Sequence, residues 1–498
     1  MPGPRTPTPA QMASSGPSSS ASASASASAG TADSANGAAG GDGHDGHDGR
    51  GGQDGRGGPG GHDGHDGGGG GHDEQDGQDG GGGRAMCPLG RLLILTGLAS
   101  LGTGVFWHGL PFIAKSVHGY DQQDVLVLFT VLGGLYTAGA FTAHRLLAAI
   151  AHWASTRTVL LAGLGAQTAA CGLPLVSDHP WTMWTSAIIV TGASAIAWPI
   201  VEAYLGAGRH GPAMRRAIAA FNFVWMPAMI VPVVIVGPMM DRLGATTIAL
   251  LGIALLASVF LAATFPREPA EHTPESDGST IPPNYPHLMA SARILLPLGY
   301  VLSSAMSPLL PFRFDELAIE LEEATPLTSS WMVARVVILV AMWFMAFWHG
   351  RWGTLLATGA SLIVGFSAVM LAPNLAVLLS GFIIFGAGLG ASYYAALYYG
   401  LAVGRAGVDA GGTHEGLIGV GYCIGPLAAL IGTAWARYRS PAVVPDDADP
   451  AIAAAPAALA VIAVIMAAGI VFAIRPWLAD RARRAAVEDA PGRASAQR

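Results

Sequence analysis

Lysine is nearly missing from this chain: among 498 residues Lys115 stands alone, and charged residues make up only 12%. A water-soluble protein of that length needs more charge to cover its surface, so the scarcity argues against an ordinary soluble enzyme. There is no Gly-rich phosphate loop carrying a lysine, which argues against an ATP-driven pump. Neither Gly-x-Ser-x-Gly nor His-Glu-x-x-His occurs, and acids and histidines are scattered, so no catalytic constellation or resident cofactor is expected. A basic patch that would mark a nucleic-acid partner is also missing. The three cysteines, Cys87, Cys171 and Cys423, lack paired spacing and read as small buried hydrophobes rather than disulfide or metal ligands.

The formal net charge of −7 belongs to the N-terminal tail. Residues 1–85 carry Arg5, Arg50, Arg56 and Arg84 against eleven acids, a balance of −7; the remainder has 22 basic and 22 acidic residues and is neutral. This tail alternates Ser and Ala, then becomes Gly-rich with repeated His-Asp-Gly. Such a composition cannot bury enough apolar area to offset chain entropy, so disorder is expected. It has no apolar run and is not a cleavable signal peptide. His44, His47, His62, His65 and His72 sit beside carboxylates, a set able to hold Zn²⁺ or Ni²⁺ loosely. A solvated, biased segment without that role is the simpler reading, and translation from Met86 is a third.

What the chain has in abundance is apolar length: 51% of residues are hydrophobic and mean hydropathy is +0.44. The polar, Pro-rich stretch 265–293 divides it into two blocks of similar size. The first offers segments at 91–114, 125–147, 159–176, 183–206, 217–240 and 245–265; the second at 294–311, 331–348, 353–371, 375–401, 417–437 and 452–474. Each is about long enough to cross a hydrocarbon core of ~30 Å as a helix. The domain plan is therefore a tail (1–85), a six-helix bundle (86–265), a linker (266–290), a second six-helix bundle (291–475) and a C-terminal tail (476–498).

Arginine placement orients the chain. With the N-terminus inside, one set of loops and the C-terminal tail hold Arg145, Arg157, Arg209, Arg215, Arg216, Arg267, Arg293, Arg351, Arg405, Arg475, Arg481, Arg483 and Arg484. The opposite loops hold Lys115, Arg242, Arg313, Arg437 and Arg439. Thirteen against five puts both termini and the linker in the cytoplasm. Sliding the first block by 194 residues lays Tyr204 on Tyr398, Gly206 on Gly400 and Val231-Pro232 on Gly425-Pro426, the spacing of a duplicated half.

Twelve spans, a central cytoplasmic linker and a half-repeat over residues 90–475 make the chain resemble the major facilitator superfamily. The superfamily's loop motif, Gly-x-x-x-Asp-Arg-x-Gly, survives after helix eight only as Arg351 and Gly353, with Ala346 and Gly350 at the Gly and Asp positions. A full match occurs after helix five as Gly237 to Gly244, and Gly421-Tyr-Cys-Ile-Gly425-Pro426 matches the antiporter-associated pattern. The resemblance implies an all-α membrane protein of two pseudo-symmetric six-helix bundles. It implies a central cavity lined by helices one, two, four and five and by seven, eight, ten and eleven.

Ionisable groups inside spans cost ~2.5–3.5 kcal/mol each on insertion scales, so each is a candidate site. Arg335 suits a solute anion or an ion pair with Asp315 or Glu316. Glu202 could exchange a proton or pair with Arg209, Arg215 or Arg216. Trp107 and His108 offer a polar cavity contact or a proton carrier, against a structural role for the histidine. Thr413 reads as an N-cap with Glu415 complementing the positive end of helix eleven. Asn222 and Trp225 should share a face, and Tyr393 and Tyr394 supply hydroxyls and ring faces. Pro227, Pro232, Gly425 and Pro426 would bend helices five and eleven for rocking. These residues point to a monomeric secondary transporter of a small solute, proton coupling left open, in a bacterial inner membrane. A divalent-metal exporter fed by the His/Asp tail and a non-transporting sensor or scaffold are the alternatives.

Overall fold

The computed structural model describes residues 86–209, 211–244, 246–270, 282–403, 408–439 and 450–488. The expectations placed on His44, His47, His62, His65 and His72 lie outside the described residues. Among the described residues there are twelve long helices and no strand. They are α1 (Leu89–His118), α2 (Gln122–Ile150), α3 (Thr156–Cys171), α4 (Pro180–Gly206), α5 (Gly211–Leu243) and α6 (Thr246–Ala262). After the linker follow α7 (Tyr285–Glu316), α8 (Leu321–Phe344), α9 (Trp352–Met370), α10 (Leu375–Val403), α11 (Val408–Arg439) and α12 (Pro450–Glu488). All but α6 include a stretch long and apolar enough to cross a membrane, and the protein is an integral, multi-pass membrane protein. Large apolar side chains such as Phe260, Phe344 and Val464 point outward, as a hydrocarbon solvent permits.

Local signals explain several boundaries. Gly119 ends α1 in the left-handed region at φ 65°, where a side chain would be strained. Asp121 then caps α2, its carboxylate accepting from the Asp124 N–H at 2.8 Å, and Ser155 caps α3 by accepting from the Thr158 N–H at 3.2 Å. Within α1 the residues Val105–Gly109 form a π-helical turn. Helix α5 continues through Pro227, Pro232 and Pro238, and α11 through Pro426. Pro232 faces Gly104 of α1, whose missing side chain makes room for the proline ring.

In the first half α1 packs on α5 and α6, α4 on α2 and α3, and α3 on α6; in the second, α7 packs on α10, α11 and α12, and α10 on α8 and α9. Two large seams join the halves, α2 against α11 and α5 against α8, with smaller contacts of α4 on α11 and of α1 and α2 on α7. The seams are built on small residues. A Cβ on Gly133 of α2 would fall on the Tyr422 carbonyl of α11, and one on Gly237 of α5 would fall on the Thr325 hydroxyl and the Leu321 carbonyl of α8.

The structure extends four elements beyond the apolar runs that marked them. Helix α7 is already helical from Tyr285, inside the stretch 266–290, and α12 runs on through residues 476–488. Helix α11 begins at Val408, so Thr413 is not an N-cap and His414 and Glu415 lie inside the helix. Helix α8 begins at Leu321; Arg335 is fourteen residues in, about 21 Å at 1.5 Å per residue, rather than one turn from the end.

Around the remnant of the loop motif, the contacts are made by the residue between its two remaining positions. Arg351 is exposed and Gly353 has open space where a side chain would go. Between them, Trp352 donates its indole N–H to Asp480 at 2.9 Å, and Arg484 donates to the same carboxylate at 2.8 Å. Asp480 is 1% exposed. Replacing it with alanine should leave the indole N–H without its acceptor and cost ~1–3 kcal/mol. A melting temperature in detergent lowered by several degrees in Asp480→Ala, and by less in Asp480→Glu, is the expected result.

Candidate functional site

Where the two halves meet, eight helices bring polar and aromatic residues together. The π turn of α1 carries Trp107 and His108. Trp107 stacks on Tyr422 of α11, centroids 5.0 Å apart and planes 20° from parallel, and meets the edge of Tyr136 of α2 at 5.2 Å. Tyr422 in turn meets Tyr136 at 5.7 Å and Tyr300 of α7 at 5.4 Å. His108 lies against the edge of Trp331 on α8 at 5.1 Å. Trp107, His108 and Tyr422, together with Ser303, Ser304 and Gly133, border a cavity of about 20 Å³, room for roughly one water.

Arg335 of α8 is 3% exposed. Its guanidinium carbon lies 5.1 Å from the Trp225 ring centre, 5.0 Å from that of Tyr393 and 5.5 Å from that of Tyr300, and Nη2 donates to the Tyr300 hydroxyl at 2.7 Å. Cation–π contacts of this kind are worth ~0.5–2 kcal/mol each, so the rings offset much of the cost of burying the charge. They do not use its other donors, and Nε is buried without a hydrogen-bond partner. Trp225 is held by Asn222: the indole N–H donates to Oδ1 at 2.9 Å, while the amide donates to the Ile218 carbonyl at 2.9 Å. Asn222 therefore orients an aromatic wall from the opposite half.

The expected ion pair of Arg335 with Asp315 or Glu316 does not form. Asp315 is bonded to Lys115, the lone lysine, which also donates to the Pro311 carbonyl at 3.2 Å; Glu316 takes Arg313. Both acids end α7, whereas Arg335 is near mid-helix. The Lys115 contact ties α1 to α7 and so joins the two halves at that end.

Glu202 is not paired with Arg209. That guanidinium donates instead to the carbonyls of Tyr204 and Leu205 at 2.9 Å and of Cys87 at 2.6 Å, tying the start of α1 to the end of α4. Burial pushes the neighbouring Cys87 thiol up to about 11, with Arg209 opposing. Glu202 faces the other half: it, His414 and Glu415 each have one polar atom within 4.8 Å of the others. Tyr136 donates to Glu415 Oε2 at 2.5 Å, and His414 lies 5.3 Å from the Tyr393 ring. Two ionised carboxylates at 4.8 Å would repel by roughly 3.5 kcal/mol at an effective dielectric constant of 20, so the pair calls for a shared proton or a cation. Arg335 acts electrostatically on both Glu415 and His414. A resident guanidinium suits one net negative charge on the pair and opposes a divalent ion.

Tyr394 departs from the group. It packs on Trp348, 5.6 Å between centroids, beside the turn from α8 to α9, whereas Tyr393 faces Arg335. Three contributors lay outside the sequence expectations, Tyr136, Tyr300 and Tyr422. Their common signal is depth: each sits fourteen or fifteen residues into its helix, counted from Gln122, Tyr285 and Val408, too far in for an interface anchor.

No protein-family model matches the sequence, and a search of curated proteins finds no match. Two solved structures of the nucleoside transporter NupG do resemble the chain, one of them a point mutant. The mutant aligns with a TM-score of 0.56 at 13% identity, covering 77% of this chain and 99% of its own. The other aligns at 0.53 and 12%, covering 77% and 98%. With twelve helices in two halves and a polar group at their seam, the likeness establishes the architecture: this chain has the major facilitator fold.

Proposed function

We propose that the protein is a secondary transporter that moves a small solute across the membrane by alternating access, not an enzyme. The observation that supports this reading best is the convergence of Trp107, Tyr136, Glu202, Trp225, Tyr300, Arg335, Tyr393 and Glu415 from both halves onto one seam. Charged and hydrogen-bonding groups at that place are expensive in a membrane and serve no packing need that an apolar residue would not meet better. Residues contributed by both halves let a solute bias their relative position, because its contacts differ between the two arrangements.

In this reading the described arrangement is a closed form. The Lys115–Asp315 contact closes one end, Glu202 of α4 meets Glu415 of α11 toward the other, and the cavity beside Trp107 and Tyr422 has room for roughly one water. The aromatic walls favour a solute with a flat ring; NupG is a nucleoside transporter, and a nucleoside is one such molecule. The termini and linker lie in the cytoplasm, the protein works as a monomer, and a bacterial inner membrane is its location. Purified protein in liposomes, offered a panel of labelled nucleosides, sugars, ring carboxylates and divalent metals, should move one class at least tenfold faster than empty liposomes. Rates no faster than empty liposomes for every class would remove the transporter reading in favour of a sensor or scaffold.

A further inference from the structure

Arg335 is a buried cation without a carboxylate bonded to it among the described residues. Its guanidinium donates to the neutral hydroxyl of Tyr300, and Nε is buried without a hydrogen-bond partner. A guanidinium offers five donors in a planar fork that matches a carboxylate. The rings of Trp225, Tyr300 and Tyr393 leave that fork as the polar feature of an otherwise aromatic box. A neutral solute would satisfy the donors but not the charge.

The groups around the carboxylate pair account for the charge of the empty protein. Helix α2 contributes the Tyr136 hydroxyl, α7 Tyr300, α10 Tyr393, and α11 Tyr422 and His414 beside Glu415, hydroxyls and an imidazole that carry no fixed charge. His108 of α1 lies beyond, against Trp331. Arg293 also acts on His414, but it is exposed, so solvent balances it. Arg335 is then the one buried positive charge among these groups. A Glu202–Glu415 pair sharing one proton supplies the single negative charge that neutralises it.

We propose that the transported solute is a flat-ring organic anion whose carboxylate docks on Arg335 between Trp225, Tyr300 and Tyr393, and that the Glu202–Glu415 pair takes up one further proton with it. The proposal rests on the transporter reading and names its substrate class and coupling ion. Once the solute neutralises Arg335, the pair loses its counter-charge, and a second proton restores neutrality. Anion and proton travel together, one to one, with no net charge moved. The pair bridges α4 and α11, so its protonation also decides whether the two halves hold together at that end.

Orotate and uracil make the discriminating probes, the same ring with and without a carboxylate. In detergent, tryptophan fluorescence should report orotate but not uracil, because Trp225 is in van der Waals reach of the guanidinium. Arg335→Lys keeps the charge and loses the fork, and should weaken orotate binding roughly 10- to 100-fold, the loss of a charge-assisted hydrogen bond or two. In liposomes orotate should accumulate on the alkaline side, stop when a protonophore is added, and ignore potassium–valinomycin potentials of either sign. Uracil binding as tightly as orotate, or orotate binding unchanged in Arg335→Lys, would overturn the assignment; uptake that follows the membrane potential would overturn the one-to-one coupling. Arg335-dependent orotate binding without flux of any solute would keep the ligand assignment and remove the transporter reading.

Discussion

Replacing Gly133 with leucine should abolish flux while Gly134→Leu, its neighbour, retains most of it. At Gly133 the α2 backbone comes against that of α11, and any side chain would run into the Tyr422 carbonyl and the peptide that follows. Backbone cannot move aside as a rotamer can, so the helices must separate, and overpacking of this kind costs ~1–3 kcal/mol or more. Separation also pulls Tyr422 off Trp107 and Tyr136, dismantling the aromatic group from its centre. At Gly134 a Cβ would meet only the Cys423 sulfur, at 3.8 Å, an ordinary contact. Initial rates in liposomes for the two variants, with monodispersity in detergent as the folding control, provide the check. Equal rates would mean that the seam is not tight during the cycle.

The double variant Glu202→Gln/Glu415→Gln should uncouple transport from protons. Glutamine keeps the size of each side chain, and its carbonyl can still accept from Tyr136, but with both carboxylates gone no group of the pair is left to take up the proton. Gradient-driven accumulation should fall roughly 10- to 100-fold, the magnitude expected when a charge-assisted hydrogen bond is lost. Exchange of solute at equal pH on both sides should persist. The sign follows from binding: in the wild type, acidifying the side that holds the solute fills the pair and speeds entry there, whereas in the variant entry should be flat with pH. Tyr136→Phe makes a graded companion, since it removes only the 2.5 Å hydrogen bond to Glu415 and should shift the pH profile rather than erase it. A steep, wild-type pH dependence in the double variant would place the proton elsewhere.

Much of the architecture was legible before any coordinates. The twelve apolar runs are all helices, because hydrocarbon leaves the backbone few other ways to satisfy its hydrogen bonds. Helix ends were less legible for a physical reason. The first turns of α8, from Leu321 through Ser330, and of α11, from Val408 through Gly416, are polar, and hydropathy reads polarity as loop. They are helical because they pack on other helices: Thr325 donates no part of itself to lipid but accepts from the Gly237 N–H of α5 at 3.0 Å. That misreading moved Arg335 from mid-membrane to the rim and made Glu415 a capping residue.

The site was legible as single residues and not as pairs. Arg335, Glu202, Asn222 and Trp225 stood out because each is unusual inside an apolar span. Their partners did not, since Glu202 and Glu415 are 213 positions apart and Tyr136 is 279 positions from Glu415. A nearby basic loop is the obvious partner for Glu202 on the page, yet Arg209 is consumed by three carbonyls. Only the fold, by apposing α4 and α11, sets one carboxylate against the other.

The π turn in α1 has a consequence of its own. A wide turn spends one residue more than an α turn does, and one residue is about 100° of rotation in an α-helix. Trp107 and His108 therefore occupy bearings that the preceding part of the helix, from Leu89 to Gly104, does not dictate. Deleting a single residue between Val105 and Gly109 would leave the helix intact and its length almost unaltered, while swinging the indole away from Tyr422. The aromatic contact at the centre of the protein is set by an irregularity in the winding of one helix.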